Sequence, residues 1–236
     1  MIGHRGAAAR APENTLAGMR RAADIGVAWV EIDARLSRDG EIVVFHDADV
    51  KRITGADGRV GETPLSVLAG LDAGRHFGPA FAGEPIPTLA ALLELTSGLG
   101  LRVNVELKID RGRESELARG ALAVIAEKAP PGAILLSSFD AAVLAEAARL
   151  DPALPRGLIA ERPERAADVA AELGCVSVHL NQRGLGPRPV RRLKEAGFVL
   201  AAFTVNEAAR ARTLWDWGVD ALFSDVPDVL LAARRT

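Results

Sequence analysis

Two histidines and a pair of carboxylates fall within the first 47 residues of the chain. His4 and His46 lie on either side of Glu31 and Asp33, and each group ends an apolar run that predicts a β-strand. Residues i and i+2 of a strand face the same side, so Glu31 and Asp33 project together. Burying two adjacent carboxylates requires a compensating cation or protons, and the pair therefore predicts a metal site. Imidazole has the side-chain pKa nearest neutrality, which suits proton transfer.

Helical and strand patterns alternate along almost the whole chain, which is typical of a parallel sheet with crossover helices. Strands are predicted at residues 1–3, 29–33, 42–46, 101–107, 134–138, 156–159, 176–180, 199–205 and 221–224. Helices are predicted at residues 15–25, 88–96, 114–129, 141–150, 164–173, 190–196, 207–217 and 227–234. Asn14 or Thr15 is the expected cap of the first helix.

Nine strands are one more than an eight-stranded barrel uses, and the segment from Asp33 to His46 explains the excess. It is too short for a crossover helix and contains Asp39-Gly40, a typical hairpin turn. A turn centred on these two residues pairs positions whose numbers sum to about 79, which places His46 opposite Asp33. We therefore predict a single-domain α/β protein, a (β/α)8 TIM barrel with one additional antiparallel strand.

Residues 47–87 interrupt this alternation. They are rich in glycine and proline and contain only short apolar pieces, such as residues 64–68. Segments that follow the carboxyl ends of barrel strands lie at the face that carries the active site. We expect residues 47–87 to form a small insertion over the active-site mouth.

Composition narrows the range of functions. The 236-residue chain is 49% hydrophobic and 25% charged with a net charge of −2, so neither a nucleic-acid partner nor a membrane partner is expected. No apolar run is long enough to predict a membrane-spanning helix. A signal peptide is not expected either, because the candidate active-site strand begins at residue 1. Cys175 is the only cysteine, which excludes an intrachain disulfide and favours a reducing, cytoplasmic location.

Polar side chains gather at the carboxyl ends of the predicted strands, where a parallel barrel has its active site. They are His4, Arg5, Glu31, Asp33, His46, Asp47, Glu106, Lys108, His179, Asn181, Thr204, Asn206 and Asp225. Glu31, Asp33 and Glu106 offer only oxygen ligands, a set that favours Mg²⁺ or Ca²⁺ over Zn²⁺. Arg5 and Lys108 add two cations, which together with a metal favour an anionic substrate, phosphate above all.

Several short motifs, taken together, resemble those of glycerophosphodiester phosphodiesterases, most closely the short bacterial cytosolic type. They follow the family's order along the chain: His4-Arg5-Gly6, Pro12-Glu13-Asn14-Thr15, Glu31-x-Asp33, His46-Asp47, Glu106-x-Lys108, Cys175-Val-Ser-x-His-Leu-Asn181, Thr204-Val205-Asn206 and Gly218-Val-Asp220 with Ser224-Asp225. Such a set is far more specific than any single dipeptide. Two positions depart from the pattern, because Phe203 stands where many members have tryptophan and Ser224 where threonine is commoner.

The resemblance implies a phospholipase-C-like barrel that hydrolyses glycerophosphodiesters to sn-glycerol 3-phosphate and an alcohol. It implies one divalent cation, Mg²⁺ or Ca²⁺, held by Glu31, Asp33 and Glu106. In family terms, His4 and His46 are the general acid and the general base, in an order that the sequence leaves open.

Further roles are implied by the same resemblance. Arg5 and Lys108 would contact the phosphate, and residues 47–87 would be the family's characteristic insertion. Phe203 would belong to the wall on the glycerol side. His179 is either a contact on the substrate side or a buried core histidine with a satisfied hydrogen bond.

Two alternatives to this function remain open from the sequence. A lysophospholipase-D-like enzyme could use the same cluster on a lipid, but it would need an apolar platform near the mouth, and the chain shows no such stretch. A non-catalytic protein that binds glycerophosphodiesters is a second alternative. The presence of both histidines and all three carboxylates argues against it. The leading expectation is an enzyme with a small-molecule substrate.

Overall fold

The computed structural model describes residues 1–234, and none of the helices in this range is long and apolar enough to cross a membrane. The strands are β1 (Ile2–Gly3), β2 (Trp29–Leu36), β3 (Ile42–Val44), β4 (Arg102–Leu107), β5 (Ile134–Ser138), β6 (Arg156–Ala160), β7 (Ser177–Asn181), β8 (Val199–Phe203) and β9 (Ala221–Ser224). The helices are α1 (Leu16–Ile25), α2 (Lys51–Thr54), α3 (Leu65–Leu68), α4 (Leu89–Gly98), α5 (Glu114–Lys128), α6 (Ala141–Leu150), α7 (Ala166–Glu172), α8 (Pro187–Glu195), α9 (Ala208–Asp216) and α10 (Pro227–Arg234). Short 3-10 helices lie at Val60–Glu62, Pro79–Phe81 and Gln182–Gly184.

Eight of these strands are parallel and close into a barrel. They follow one another in the order β1, β2, β4, β5, β6, β7, β8 and β9, and β9 pairs with β1 to complete the circle. Among the strands of residues 1–234, β3 pairs with β2 alone and runs antiparallel to it. The predicted (β/α)8 TIM barrel with one additional antiparallel strand is confirmed.

β2 has two different partners along one of its edges. Its amino end pairs with β1 through Trp29 and Val30, and its carboxyl end pairs with β3 through residues 34–36. β4 pairs with β2 from Trp29 to Ala34 and therefore occupies the other edge. β1 and β3 thus pair with successive parts of the same edge of β2. The segments that carry His4 and His46 therefore both lie next to β2.

The hairpin register differs from the prediction by one residue. β2 and β3 pair residues whose numbers sum to 78, as in Leu36 with Ile42. The N–H of Phe45 donates to the carbonyl of Asp33 at 2.8 Å, so Phe45 stands opposite Asp33. The predicted position of His46 at that place was therefore wrong.

The reason is a hairpin loop of three residues rather than two. The N–H of Ser37 donates to the carbonyl of Glu41 at 2.9 Å, which leaves residues 38–40 outside the ladder. Gly40 has a φ of +86°, the left-handed conformation that closes a three-residue loop and that glycine adopts at no steric cost. One more loop residue shifts the pairing by one position.

Successive residues of β2 lie in two environments. Val30, Ile32 and Ala34 are buried in the apolar layer that also contains residues of α1 and α4. Glu31 and Asp33 alternate with them and therefore point to the inner face of the barrel. The period-two pattern thus packs apolar groups against the helices and gathers acidic groups inside the mouth.

Thr15, not Asn14, caps the first helix. Thr15 Oγ1 accepts a hydrogen bond from the N–H of Gly18 at 3.0 Å. Asn14 turns its side chain towards the barrel, where Nδ2 donates to Asp33 Oδ2 at 2.8 Å. The two neighbouring residues therefore divide two tasks, because one starts the helix and the other supports a carboxylate.

The segment 47–87 has an apolar cluster of its own. Val50, Ile53 and Leu68 are buried together with Phe45, which follows β3. The cluster anchors the segment on the hairpin. Its place over the active-site mouth stays a prediction.

Gly3 is the tightest point of the turn that follows β1. A Cβ atom at Gly3 would overlap the carbonyl oxygen of Gly6, a backbone atom that cannot move away without displacing the turn that carries His4. We expect Gly3→Ala to lower the free energy of unfolding by about 2 kcal/mol or more. Gly98→Ala, where a Cβ would meet no atom within 4 Å, should be neutral or slightly stabilising. Urea unfolding measures both changes, and equal effects would contradict this account.

Candidate active site

Three carboxylates meet where β2 pairs with the carboxyl end of β4. Asp33 and Glu106 are direct neighbours in the register of these strands, and Glu31 precedes Asp33 by two residues on the same face. One carboxylate oxygen from each of the three lies within 4.8 Å of the others, and all three side chains are buried. The structure thus brings together the three residues that were predicted to hold a metal.

The unpaired oxygen of Glu31 tests whether a cation fits here. Glu31 Oε2 accepts a hydrogen bond from the N–H of Arg5 at 2.9 Å, whereas Oε1 is buried without any hydrogen-bond partner. Burial, and next the charge of Asp33, raise the pKa of Glu31 well above its usual range. A buried acceptor without a donor is costly, and a hard divalent cation with oxygen ligands would satisfy it. The donor set therefore fits Mg²⁺ or Ca²⁺.

Asp33 is the most heavily compensated of the three carboxylates. Lys108 Nζ lies 3.3 Å from Oδ1, and Arg5 Nε lies 3.5 Å from Oδ2. Asn14 Nδ2 donates to Oδ2, and Asn14 Oδ1 accepts from the backbone N–H of Asp33 at 3.2 Å. Burial alone would raise the pKa of Asp33, but Lys108 and Arg5 outweigh it and hold that pKa below its usual value. Asp33 is therefore ionised at neutral pH.

Arg5 and Asn14 share an uncommon backbone conformation. Their φ values are 50° and 57°, in the left-handed region that side chains other than glycine seldom adopt. The N–H of Asn14 donates to the carbonyl of Arg5 at 3.1 Å, which ties the two strained residues together. Both place polar groups on Asp33, so the backbone strain is found where it orients site residues.

Lys108 lies between two of the acidic groups. Its Nζ is 2.6 Å from Glu106 Oε1 as well as close to Asp33. Burial would lower the pKa of Lys108, but the charges of Asp33 and Glu106 raise it, so the ammonium stays protonated. The two cations predicted at the mouth, Arg5 and Lys108, are both present beside the carboxylates.

His4 is oriented by a carboxylate that the sequence did not reveal as its partner. His4 Nδ1 lies 2.6 Å from Asp225 Oδ1, and Asp225 Oδ2 accepts a hydrogen bond from Asn206 Nδ2 at 2.7 Å. Burial would lower the pKa of His4, but the hydrogen bond to Asp225 and the charge of Glu31 outweigh it and raise that pKa. Barrel closure is the signal that identifies this pair. β1 pairs with β9, so the residues after each strand are neighbours.

His46 is held at both its ring and its backbone. His46 Nδ1 lies 2.6 Å from Asp47 Oδ1, and the His46 carbonyl accepts hydrogen bonds from Arg35 Nε and Nη2 at 2.9 and 2.8 Å. Burial, and among charges Arg5 and Lys108, lower the pKa of His46 despite the opposing charge of Asp33. Arg35 was not among the predicted site residues. Its position on the outer part of β2, opposite Val43, places it beside the hairpin.

The two histidines therefore share one geometry. The Nδ1 atom of each imidazole is hydrogen-bonded to a carboxylate, which fixes the ring and leaves Nε2 for other partners. His4 Nε2 lies 3.9 Å from Glu31 Oε2, so this nitrogen faces the acidic cluster. The environments shift the pKa of His4 upward and that of His46 downward.

His179 and Phe203 line a small cavity of about 40 Å³ that is also lined by His4, Glu31 and Glu106. His179 is buried, and its Nε2 lies 3.0 Å from Ser177 Oγ while Nδ1 has no hydrogen bond. Burial lowers the pKa of His179 to about 4, so the ring is neutral. Its predicted contact with a substrate, like that of Phe203, stays a prediction.

A family model described as the glycerophosphoryl diester phosphodiesterase family matches residues 4–229. The chain belongs to this family. It is 32% identical to a glycerophosphodiester phosphodiesterase of Caldanaerobacter subterraneus subsp. tengcongensis, with 100% of this chain and 97% of the relative covered.

Solved structures of family members have the same fold. A phosphodiesterase of Oleispira antarctica, solved in complex with the product sn-glycerol-3-phosphate, is 38% identical with a TM-score of 0.97, over 100% of this chain and 96% of that one. A glycerophosphodiester phosphodiesterase of Agrobacterium tumefaciens str. C58 is 28% identical with a TM-score of 0.83, over 98% of each chain. The predicted family and the predicted enzyme class, a phosphoric diester hydrolase, are confirmed.

Removal of one carboxylate tests the cation site. We expect Glu31→Gln to weaken the binding of Mg²⁺ and Ca²⁺ by about tenfold or more, because a neutral amide replaces a carboxylate in the oxygen cluster. Isothermal titration calorimetry measures this without any substrate. The control is Glu94→Gln, an exposed acidic residue of α4 that should bind both cations like the wild type. Wild-type affinity in Glu31→Gln would contradict the proposed ligand set.

The raised pKa of Glu31 gives a second, pH-dependent prediction. In a chelator, the folded chain keeps a proton on Glu31 at pH values where the unfolded chain has already lost it, so the free energy of unfolding falls as pH rises above about 4.5. Glu31→Gln should remove this contribution and flatten the pH dependence. Urea unfolding of both proteins with EDTA, between about pH 5 and pH 8, measures the difference. Parallel curves for the two proteins would show that Glu31 titrates normally.

Proposed function

We propose that this enzyme hydrolyses glycerophosphodiesters to sn-glycerol 3-phosphate and an alcohol, with His4 and His46 as the general acid and base. A divalent cation, Mg²⁺ or Ca²⁺, would be held by Glu31, Asp33 and Glu106. The observation that carries the proposal is the acidic cluster next to two imidazoles, each with a carboxylate on its Nδ1. The product complex of the Oleispira antarctica relative supports the same product for this chain.

Arg5 and Lys108 are the groups that would bind the substrate phosphate. Both are partly buried cations that stay protonated beside the acidic cluster. Arg5 offers a planar guanidinium for two oxygens, and Lys108 offers a point charge. When bound, the cation would act as a Lewis acid on the phosphoryl oxygens. The two side chains would stabilise the negative charge that builds up on the phosphate.

The two imidazoles would move the protons. One takes the proton from the glycerol hydroxyl next to the phosphoester, and that oxygen attacks phosphorus. The other protonates the departing alcohol, and a cyclic phosphate results. Water then opens the ring with the roles of the imidazoles reversed. Asp225 and Asp47 hold each ring in the tautomer that presents Nε2 to the reaction.

The glycerol portion would face the small cavity beside the cluster, which is too small to enclose it. Phe203 supplies an apolar wall, and its ring packs edge-on against Phe139 with centroids 5.9 Å apart. The neutral ring of His179 has one nitrogen without a hydrogen bond, which could serve a hydroxyl group. A small-molecule substrate, a cytoplasmic location and a covering role for residues 47–87 complete the proposal.

Replacing either histidine tests the proton-transfer roles. We expect His4→Ala and His46→Ala each to lower kcat roughly 10²–10⁴-fold, the contribution of general acid–base catalysis. The assay is release of glycerol 3-phosphate from glycerophosphocholine with Mg²⁺ or Ca²⁺. A loss below about tenfold would contradict the role of that histidine.

His76→Ala is the matched control, because His76 is exposed in the segment 47–87 and should leave the rate unchanged. EDTA should abolish release by the wild type. Release from lysophospholipids alone would favour a lipid-directed enzyme instead. No release from any substrate or metal would contradict the proposed function altogether.

A further inference from the structure

Arg52 connects both halves of the candidate site although it lies outside it. Arg52 belongs to α2, in the segment that follows the hairpin, and 47% of its side chain is exposed. Its three guanidinium nitrogens donate to two carboxylates. One carboxylate, Asp47, lies beside the proposed catalytic residue His46, and the other, Glu13, lies beside the proposed phosphate ligand Arg5. An isolated exposed ion pair contributes little to stability, but Arg52 makes a two-point contact with Glu13 and a third contact with Asp47, and such a network can fix the positions of the groups that it joins.

One arm of Arg52 reaches the histidine side. Arg52 Nε donates to Asp47 Oδ2 at 2.6 Å, and the other oxygen of the same carboxylate, Oδ1, lies 2.6 Å from His46 Nδ1. Asp47 is thus held at both oxygens. A carboxylate fixed in this way can hold the imidazole in one orientation, whereas a carboxylate with one free oxygen can rotate.

The other arm reaches the phosphate side. Arg52 Nη1 and Nη2 donate to Glu13 Oε2 and Oε1 at 2.9 and 2.7 Å, a two-point contact. Glu13 Oε1 also accepts from Arg5 Nη1 at 2.9 Å. The orientation of the Arg5 guanidinium therefore depends on a carboxylate that Arg52 holds in place.

We propose that Arg52 is a positioning residue that sets the His46 imidazole and the Arg5 guanidinium relative to each other, through Asp47 and Glu13. Arg52 itself touches neither substrate nor reacting atoms. Lysine cannot replace it, because only the guanidinium fork can bond two carboxylates with three donors in fixed directions. The inference rests on the proposed function, and it makes the first helix of the segment 47–87 part of the catalytic arrangement.

Kinetics of Arg52→Ala provide the first test. We expect kcat to fall about 10–100-fold, because small displacements of reacting groups have large effects, and KM to rise through Arg5. Arg75→Ala is the matched control: Arg75 is an exposed arginine of the same segment that pairs with Asp72, and its removal should leave kcat and KM unchanged. Adding low-millimolar guanidinium should restore part of the kcat of Arg52→Ala. It should leave the kcat of Arg75→Ala unchanged.

The hydrogen-bonded Nδ1–H resonance of His46 is a readout that needs no turnover. The chain has only four histidines, so its imidazole signals can be assigned with single His→Ala variants. The His46 signal should shift or broaden in Arg52→Ala and stay in place in Arg75→Ala, while the His4 signal, held by Asp225, stays unchanged in both. Arg52→Lys keeps the positive charge and replaces Arg52→Ala as the test variant if the alanine variant unfolds. Its kcat should still fall by at least about threefold, because lysine lacks the guanidinium fork.

A mutant cycle decides whether Arg52 acts through its two carboxylates. In a Glu13→Gln, Asp47→Asn background, Arg52→Ala should change kcat less than about twofold, since the residues through which it acts are gone. Wild-type kcat in Arg52→Ala, an equal loss in Arg75→Ala, or a full additional loss in the double-variant background would each overturn the inference. An inactive wild type would instead overturn the proposed function.

Discussion

Burial of three carboxylates at one end of the barrel is the constraint on which the rest of the site depends. Burying an ionised carboxylate inside a protein costs several kcal/mol of free energy, unless protons, hydrogen-bond donors or cations replace the lost water. Asp33 is compensated by Asn14, Lys108 and Arg5, whereas one oxygen of Glu31 has no donor. The chain thus satisfies part of the acidic cluster and leaves one buried carboxylate oxygen without a partner among the described residues. A divalent cation, as proposed above, would satisfy this oxygen, which an ordinary ion-pair network would not leave unpaired.

Charges of alternating sign extend outward from this cluster. The carboxylates are followed by the cations and imidazoles, and these are followed by a second set of acidic groups, Asp225, Asp47 and Glu13. These groups are held by hydrogen bonds and ion pairs to their neighbours, so that directional contacts fix their positions together with apolar packing. Arg52 closes the series on the hairpin side. The apolar layer between barrel and helices supplies the rigid frame, and the polar series supplies the orientation.

The hairpin shows how far strand patterns carry a prediction. Its existence, its antiparallel direction and its return towards the carboxylates follow from a short polar connection with Asp39-Gly40. Its register does not, because two-residue and three-residue loops have the same sequence signal and differ only in where the ladder resumes. The difference places Phe45, not His46, opposite Asp33. His46 then depends on Arg35 and Asp47 for its orientation.

The sequence by itself determined the fold class and which side chains stand together on one strand face. The i, i+2 spacing of Glu31 and Asp33, the alternation of elements and the polar strand ends all depend on local geometry and residue type. Tertiary structure alone decided the partnerships. His4 and Asp225 are 221 positions apart, and Glu13 and Arg52 are 39 apart, so no local pattern links them. Such pairs arise from barrel closure and loop packing, which depend on the summed interactions of the whole chain. Local sequence therefore indicates which groups are candidates for the site, whereas the closed fold sets how they are oriented.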